Sequence, residues 1–394
     1  MTITIVTDVM GAETNGTIVA IMNLVRFMKK QGHTVRILCA DQSKNGEEDY
    51  FVVPNANFGK FLNAYVHKVG VTLAKPDEQI IRKAIEGADL VHIIVPLSLG
   101  MAATKVAHEM NIPITAGFHM QAENLTSYFK LNKIKPINKF VYKYIWKHVY
   151  QYCDGIHYPT QFIRDIFEKN IKHQTPGYVI SNGVHDYVKP REVQKPIELK
   201  DKFVILSTGR YAREKSQDTL IKAVMHSAHK DKIQLIFAGQ GIKEKYYKKL
   251  SKKLPVAPIF KCFTRTDIID VLNYADIYVH PAEIELEGIA CLEAIACGKL
   301  TIVSDSKLSA TKYFAVDKKC IFKNRNPKDL ARVIDYWFEH PADRKLYEKK
   351  YLESAKVLDQ EECMHEMENM MIEVISEKKK SKENSPAWTK NCVL

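Results

Sequence analysis

Short apolar runs alternate with longer amphipathic stretches through most of the chain. Residues 3–7, 34–39, 89–95 and 112–118 have the length and side chains of buried strands, while 17–30 and 101–110 carry apolar residues at helical spacing. After a polar interval the alternation restarts, with strand-like runs at 203–208, 234–238, 275–279 and 300–304. Strand, helix, strand in this rhythm predicts parallel sheets with helices on both faces, because a parallel pair needs a crossover long enough to hold a helix. The interval at 188–201 is polar and holds Pro190 and Pro196, which suits an exposed connection. The expected fold class is α/β, with one Rossmann-like domain over 1–188 and a second over 189–345. Beyond Lys345 the pattern turns to charged helix, expected through 376, and the segment 377–394 has the composition of a disordered tail.

A chain of 394 residues exceeds one ordinary core and suits two domains of roughly 150 to 200 residues each. No apolar run reaches the ~18 residues of a membrane span, and Met1 leads straight into a strand-like run with Asp8 close behind. A cytoplasmic protein, at most peripheral to a membrane, is expected. The eight cysteines are scattered without a CxxC pair, so reduced thiols are the default, and Cys291 and Cys297 read as packing residues. A net charge of +12 calls for an acidic partner: nucleic acid, a nucleotide sugar or an anionic membrane. No helix-turn-helix, zinc finger or RNA-binding aromatic signature is present, so nucleic acid is not expected.

At 280–298 the chain reads HPAEIELEGIACLEAIACG. An alternating run ends as a strand before it, and small apolar residues after Gly288 begin a helix, so Glu285 stands in a loop and Glu293 about one turn into the helix. Gly288 lacks a Cβ and lets a ligand reach the backbone, while the amides that follow point out of the helix N-terminus and suit phosphate. Both acids also fit the plainer role of favouring the helix dipole. A second strand, glycine turn and helix occurs where FVILST leads through Gly209, Arg210 and Lys215 into a helical run near Asp218. That is again an anion site, although either base alone would also suit a solvated surface.

The two segments resemble the signatures of glycosyltransferase family 4. Glu285, Gly288, Glu293, Ala294, Ala296 and Gly298 match its acidic signature, and Arg210 and Lys215 match its spaced pair of bases. Glu287 takes the place of the usual aromatic residue, and Lys299 that of a common proline. Asn182-Gly183-Val184 and Gly32-His33-Thr34-Val35 resemble further steps of the family. The resemblance implies the GT-B fold, two facing Rossmann-like domains with a cleft between them and a C-terminal helix crossing back onto the first. It also implies that Arg210 and Lys215 neutralise the diphosphate of a nucleotide-sugar donor, the fork of one and the point charge of the other suiting that group. Gly16, Gly209, Gly288 and Ile289 would lie beside the donor, with Glu285 on its sugar hydroxyls and Glu293 on its ribose. Glu287 would contact a donor hydroxyl or face solvent.

His119 follows the strand-like run 112–118, at the edge where parallel sheets bind ligands. Many family members place a histidine there beside the transferred sugar; the plainer reading is a core or capping histidine. Glu123 and Asn124 are its nearest polar neighbours and are read as acceptor contacts. Residues 128–152 hold six lysines and no acid, interleaved with aromatics. Lys139, Lys143 and Lys147 share a helix face, and with Trp146 they suit an anionic bilayer surface. A solvated basic face whose aromatics pack inward is the alternative.

Taken together, the resemblance implies a retaining glycosyltransferase that moves a hexose from UDP-glucose or UDP-galactose to a hydroxyl acceptor without a metal or cofactor. In the front-face mechanism proposed for such enzymes, the leaving phosphate takes the acceptor proton. No D-x-D motif occurs, and Glu283, Glu285 and Glu287 alternate along an extended run. The expected acceptor is a membrane lipid, diacylglycerol or a ceramide, giving an α-glycolipid at the cytoplasmic face of the membrane, as in the bacterial glycolipid synthases that the chain resembles. Two readings stay open beside it: transfer to a sugar of a surface polysaccharide, and a nucleotide-sugar epimerase of GT-B fold, which would have no use for the basic aromatic tract.

Overall fold

The computed structural model describes residues 1–8, 16–56, 74–127 and 131–383. They divide into two compact units: Met1–Ala122, Ile134–Ile180 and the chain from Met364 on, and Glu123–Lys133 with Ser181–Cys363. The expected domain boundary at 188 thus falls later than the division, which comes between Ile180 and Ser181.

The first unit is built on seven parallel strands: Thr2–Thr7 (β1), Thr34–Cys39 (β2), Tyr50–Val52 (β3), Leu90–Ile93 (β4), Ile114–Gly117 (β5), Gly155–Tyr158 (β6) and Gly177–Val179 (β7), in the order β3-β2-β1-β4-β5-β6-β7. Helices Gly16–Lys30, Glu78–Ile85, Ser98–Glu109, Lys135–His148 and Gln161–Ile171 connect them. A sheet covered on both faces asks for continuous apolar strands, and Ile3, Ile5 and Val6 of β1 have no exposed surface. Just past β1, buried Asp8 accepts from the amides of Leu99 and Gly100 at 3.2 and 3.4 Å and from Ser98 Oγ at 3.2 Å. It thereby answers amides that the first turn of Ser98–Glu109 leaves unpaired.

The second unit repeats the plan with Phe203–Thr208 (β8), Ile233–Ala238 (β9), Ile259–Lys261 (β10), Ile277–His280 (β11), Thr301–Ser304 (β13) and Ile321–Phe322 (β15), in the order β10-β9-β8-β11-β13-β15. The short strands Ile284–Glu285 (β12) and Leu308–Ser309 (β14) form a separate parallel pair. Trp337, Tyr211, Tyr278, Tyr351 and Phe237 fill the core, each almost fully buried. The connection reverses direction at β8, which pairs with β9 on one side and β11 on the other. Loops leaving the carboxyl ends of β8 and β11 diverge there, and ligands of open parallel sheets bind at such a point.

The last helix, Gln360–Glu383, runs past the expected limit at 376, and its residues from Met364 group with the first unit. Met367, Met370, Met371 and Val374 are buried on its inner side. The charged stretch after 376 reads as solvated chain, yet Lys378 pairs with Asp154 at 2.8 Å and Lys382 donates to the Asn111 carbonyl at 2.8 Å. Those acceptors hold residues 377–383 in helix; residues 384–394 lie outside the described residues.

Candidate active site

Two loops of the second unit converge on one carboxylate. After β8 the chain turns through Gly209, Arg210 and Lys215 into helix Gln217–His226, and after β11 it runs through β12 into helix Ile289–Ala296. The Lys215 ammonium pairs with Glu285 Oε2, and His280 Nε2 lies 3.1 Å from the same oxygen. Burial by itself would raise the Glu285 carboxyl, but the Lys215 charge and the His280 hydrogen bond outweigh it and hold the group at about 2. Glu285 is therefore an anion at any physiological pH.

Behind it, His280 Nδ1 meets the Tyr278 hydroxyl at 3.0 Å, and that hydroxyl meets Thr208 Oγ1 at 2.8 Å. Arg210 keeps 45% of its side chain exposed and touches Glu214 at 3.5 Å. Its loop is braced from β9, since Gly209 donates to the Ala238 carbonyl and Tyr211 to the Gln240 carbonyl, both at 2.9 Å.

Gly288 precedes helix Ile289–Ala296 with φ 93°, and no side chain caps that helix. A Cβ there would come within 2.8 Å of Thr311 Cγ2 and 3.1 Å of Glu285 Cγ, so both the backbone angle and the space require glycine. An uncapped N-terminus next to the Lys215–Glu285 pair is an environment for an anion. On the helix, buried Glu293 pairs with Arg265 at 2.7 Å. Burial raises its carboxyl and the guanidinium lowers it, leaving a net rise. Arg265 also donates to the Tyr187 hydroxyl at 3.2 Å.

The three alternating glutamates have separate partners. Glu283 pairs with Arg325, Glu285 with Lys215 and His280, and Glu287 with the start of the unit's own chain. Glu287, 3% exposed, accepts from Ser181 Oγ at 2.6 Å, the Asn182 amide at 3.1 Å and Asn182 Nδ2 at 2.5 Å. Burial pushes its carboxyl up to about 7 in spite of those donors.

In the first unit, His119 is half-buried and its ring sits over Gly117, where any Cβ would run into the imidazole. The ring lies 5.6 Å from that of His157, with 65° between their planes. Burial, then the neighbouring His157 and His92, push His119 down to about 3, so it is a neutral hydrogen-bonding group. His157 Nε2 donates to the Ile180 carbonyl at 2.7 Å, and His92 Nδ1 meets Thr115 Oγ1 at 2.9 Å.

Glu123 and Asn124 begin the short helix Ala122–Ser127, where their carbonyls accept from Thr126 and Ser127 hydroxyls at 3.5 and 2.8 Å. Gly16 opens helix Gly16–Lys30, and the loop before it lies outside the described residues. So do residues 128–130 of the basic tract. The remainder, helix Lys135–His148, buries Asn138, Tyr142 and Ile145 and exposes Lys139, Lys143 and Lys147 beside Phe140, 68% exposed, and Tyr144. Trp146 is half-buried, its ring stacked on that of exposed His173 with 12° between the planes. No helix among the described residues is long and apolar enough to cross a membrane.

Sequence reasoning passed over His280, Tyr278 and Arg265. The first two look like alternate core positions of a strand, and Arg265 like an ordinary surface base; only the fold brings them to Glu285 and Glu293.

Residues 14–186 match the family described as Glycosyltransferase Family 4, and residues 188–353 match Glycosyl transferases group 1. The alpha-monoglucosyldiacylglycerol synthase of Streptococcus pneumoniae is 26% identical over 76% of this chain and 70% of its own. The alpha-monoglucosyldiacylglycerol synthase of Acholeplasma laidlawii is 23% identical over 81% of this chain and 84% of its own. Among solved structures, Anabaena HepE in complex with UDP and glucose superposes with a TM-score of 0.72 at 14% identity, covering 95% of this chain and all of that one. At that identity the likeness is one of fold, and the fold is GT-B, the two-unit α/β class expected from the sequence. With both halves matched in turn, the chain is a glycosyltransferase and belongs to glycosyltransferase family 4.

Proposed function

We propose that the protein transfers a hexose from a UDP-sugar to a hydroxyl of a membrane lipid, diacylglycerol or a ceramide, with retention at the anomeric carbon. The observation that carries the proposal is the arrangement around Glu285: a half-buried, ionised carboxylate paired with Lys215 and next to the uncapped start of helix Ile289–Ala296, with exposed Arg210 on the same loop as Lys215. In the reaction, the bond from the anomeric carbon to the β-phosphate oxygen breaks and a bond from that carbon to the acceptor oxygen forms on the same face. The acceptor proton passes to the departing phosphate. Arg210, Lys215 and the amides at Gly288 and Ile289 meet the charge that develops on the diphosphate. Glu285 accepts from sugar hydroxyls and Glu293 from the ribose.

The two bases and the helix end cover the diphosphate charge without a metal, so transfer is expected to persist in EDTA. A UDP donor agrees with HepE binding UDP and glucose, and a lipid acceptor with the two glycolipid synthases. The exposed lysines and aromatics of Lys135–His148 would hold the enzyme to the anionic face of the membrane, peripherally and on the cytoplasmic side. Incubation with labelled UDP-glucose or UDP-galactose and a lipid extract tests the reading. Labelled lipid is the expected product; UDP release without it would remove the lipid acceptor and leave the transferase.

A further inference from the structure

Glu285 is held from two sides on a single oxygen. Lys215 Nζ and His280 Nε2 both meet Oε2, and among the described residues no hydrogen bond goes to Oε1. The His280 side chain is 3% exposed and is gripped at its other nitrogen by Tyr278, which Thr208 holds in turn. Thr208 and His280 are the last residues of neighbouring strands β8 and β11, so the row is anchored in the sheet.

Proton positions follow from the chemistry at its ends. The carboxylate only accepts, so Nε2 carries the hydrogen, while Nδ1 pairs with the Tyr278 hydroxyl, which Thr208 meets in turn. Burial pushes the Tyr278 phenol well above its ordinary range, so it remains an O–H donor.

We infer that His280 is a positioning residue for the donor sugar: by fixing Oε2, it turns Oε1 of Glu285 toward a hexose hydroxyl. This rests on the reading of Glu285 as the ligand of the donor sugar. Lys215 supplies charge from a flexible stem, whereas an imidazole held at both nitrogens supplies a direction. A carboxylate with one oxygen occupied and its plane fixed offers the other along a single line. A hydroxyl of the right configuration meets that line and its epimer misses it, which is the way a polar site separates isosteric sugars.

The test is steady-state turnover of UDP-glucose and UDP-galactose beside calorimetric binding of UDP alone. His280→Leu is expected to lower kcat/KM for the preferred donor by roughly 100-fold, the scale of a small misplacement of a reacting group. It should narrow the preference between the two epimers and leave UDP affinity unchanged. His280→Gln, whose amide nitrogen reaches the place of Nε2, should recover most of the turnover, and His280→Asn, which reaches only the place of Nδ1, should not. Equal Leu and Gln variants, or UDP affinity falling in step with turnover, would show a merely structural residue and overturn the inference. Wild-type protein that turns over no UDP-hexose would overturn the functional reading itself; full activity in His280→Leu would overturn this inference alone.

Discussion

Glu283, Glu285 and Glu287 stand at alternate positions and meet an arginine, a lysine with a histidine, and a pair of neutral donors. Those partners set what each can do. Glu285 ionises easily because its partners are donors of charge and direction; Glu287 has only Ser181 and Asn182 against its burial, which pushes it from 4.5 to about 7. A carboxyl that binds its proton more tightly when folded stabilises the fold in full below about 4.5, and that contribution is lost as pH rises through about 7. Glu287→Gln keeps the shape without the charge. Relative to wild type, its stability should therefore improve by about 1.4 kcal/mol for each pH unit across that window. Urea unfolding of both proteins at pH 5 and pH 8 measures this, and an identical pH response would contradict it. The motif spacing pointed to Glu285 and Glu293 directly, because their chemistry lies within one short segment. It was silent on the partners of Glu287, since Ser181 and Asn182 are brought to it only by folding.

Helix Lys135–His148 shows the same limit at the level of an element. Its lysines were legible as one face, but which aromatics share that face depends on the phase set by Tyr142 and Ile145 in the core. Phe140 and Tyr144 come out beside the lysines, while Trp146 is half-buried between Phe167 of the core and exposed His173. With about 1 kcal/mol for each basic residue near an anionic surface, reversing three charges should remove at least two orders of magnitude in binding. Flotation with phosphatidylserine vesicles checks it: Lys139/Lys143/Lys147→Glu should stay at the bottom of the gradient while wild type floats, and co-flotation would return the helix to the status of a solvated face. The element carrying Glu293 was easier to foresee, because glycine at its N-terminus and small apolar residues along it leave little choice of structure.

At the scale of the whole molecule, two α/β units follow from the βαβ rhythm, since parallel strands buried on both faces leave continuous apolar runs in the sequence. The course of the last helix did not. Its basic end resembles solvated chain until Asp154 and the Asn111 carbonyl are in place to receive it. Met371 on that helix has no exposed surface, so Met371→Ala should cost about 2 to 5 kcal/mol, read as a shift in the urea midpoint. A shift of a few tenths would mean that the helix is not part of the folded core.

Labelled UDP-hexose and lipid extract, with wild type beside Lys215→Ala, test whether the Glu285 and Lys215 cluster transfers a hexose to lipid. Labelled glycolipid from wild type and a loss of roughly 100-fold or more in the variant are the expected result, the scale of removing one transition-state charge partner. Equal labelling by the two proteins would contradict it, as would label that never enters the lipid fraction.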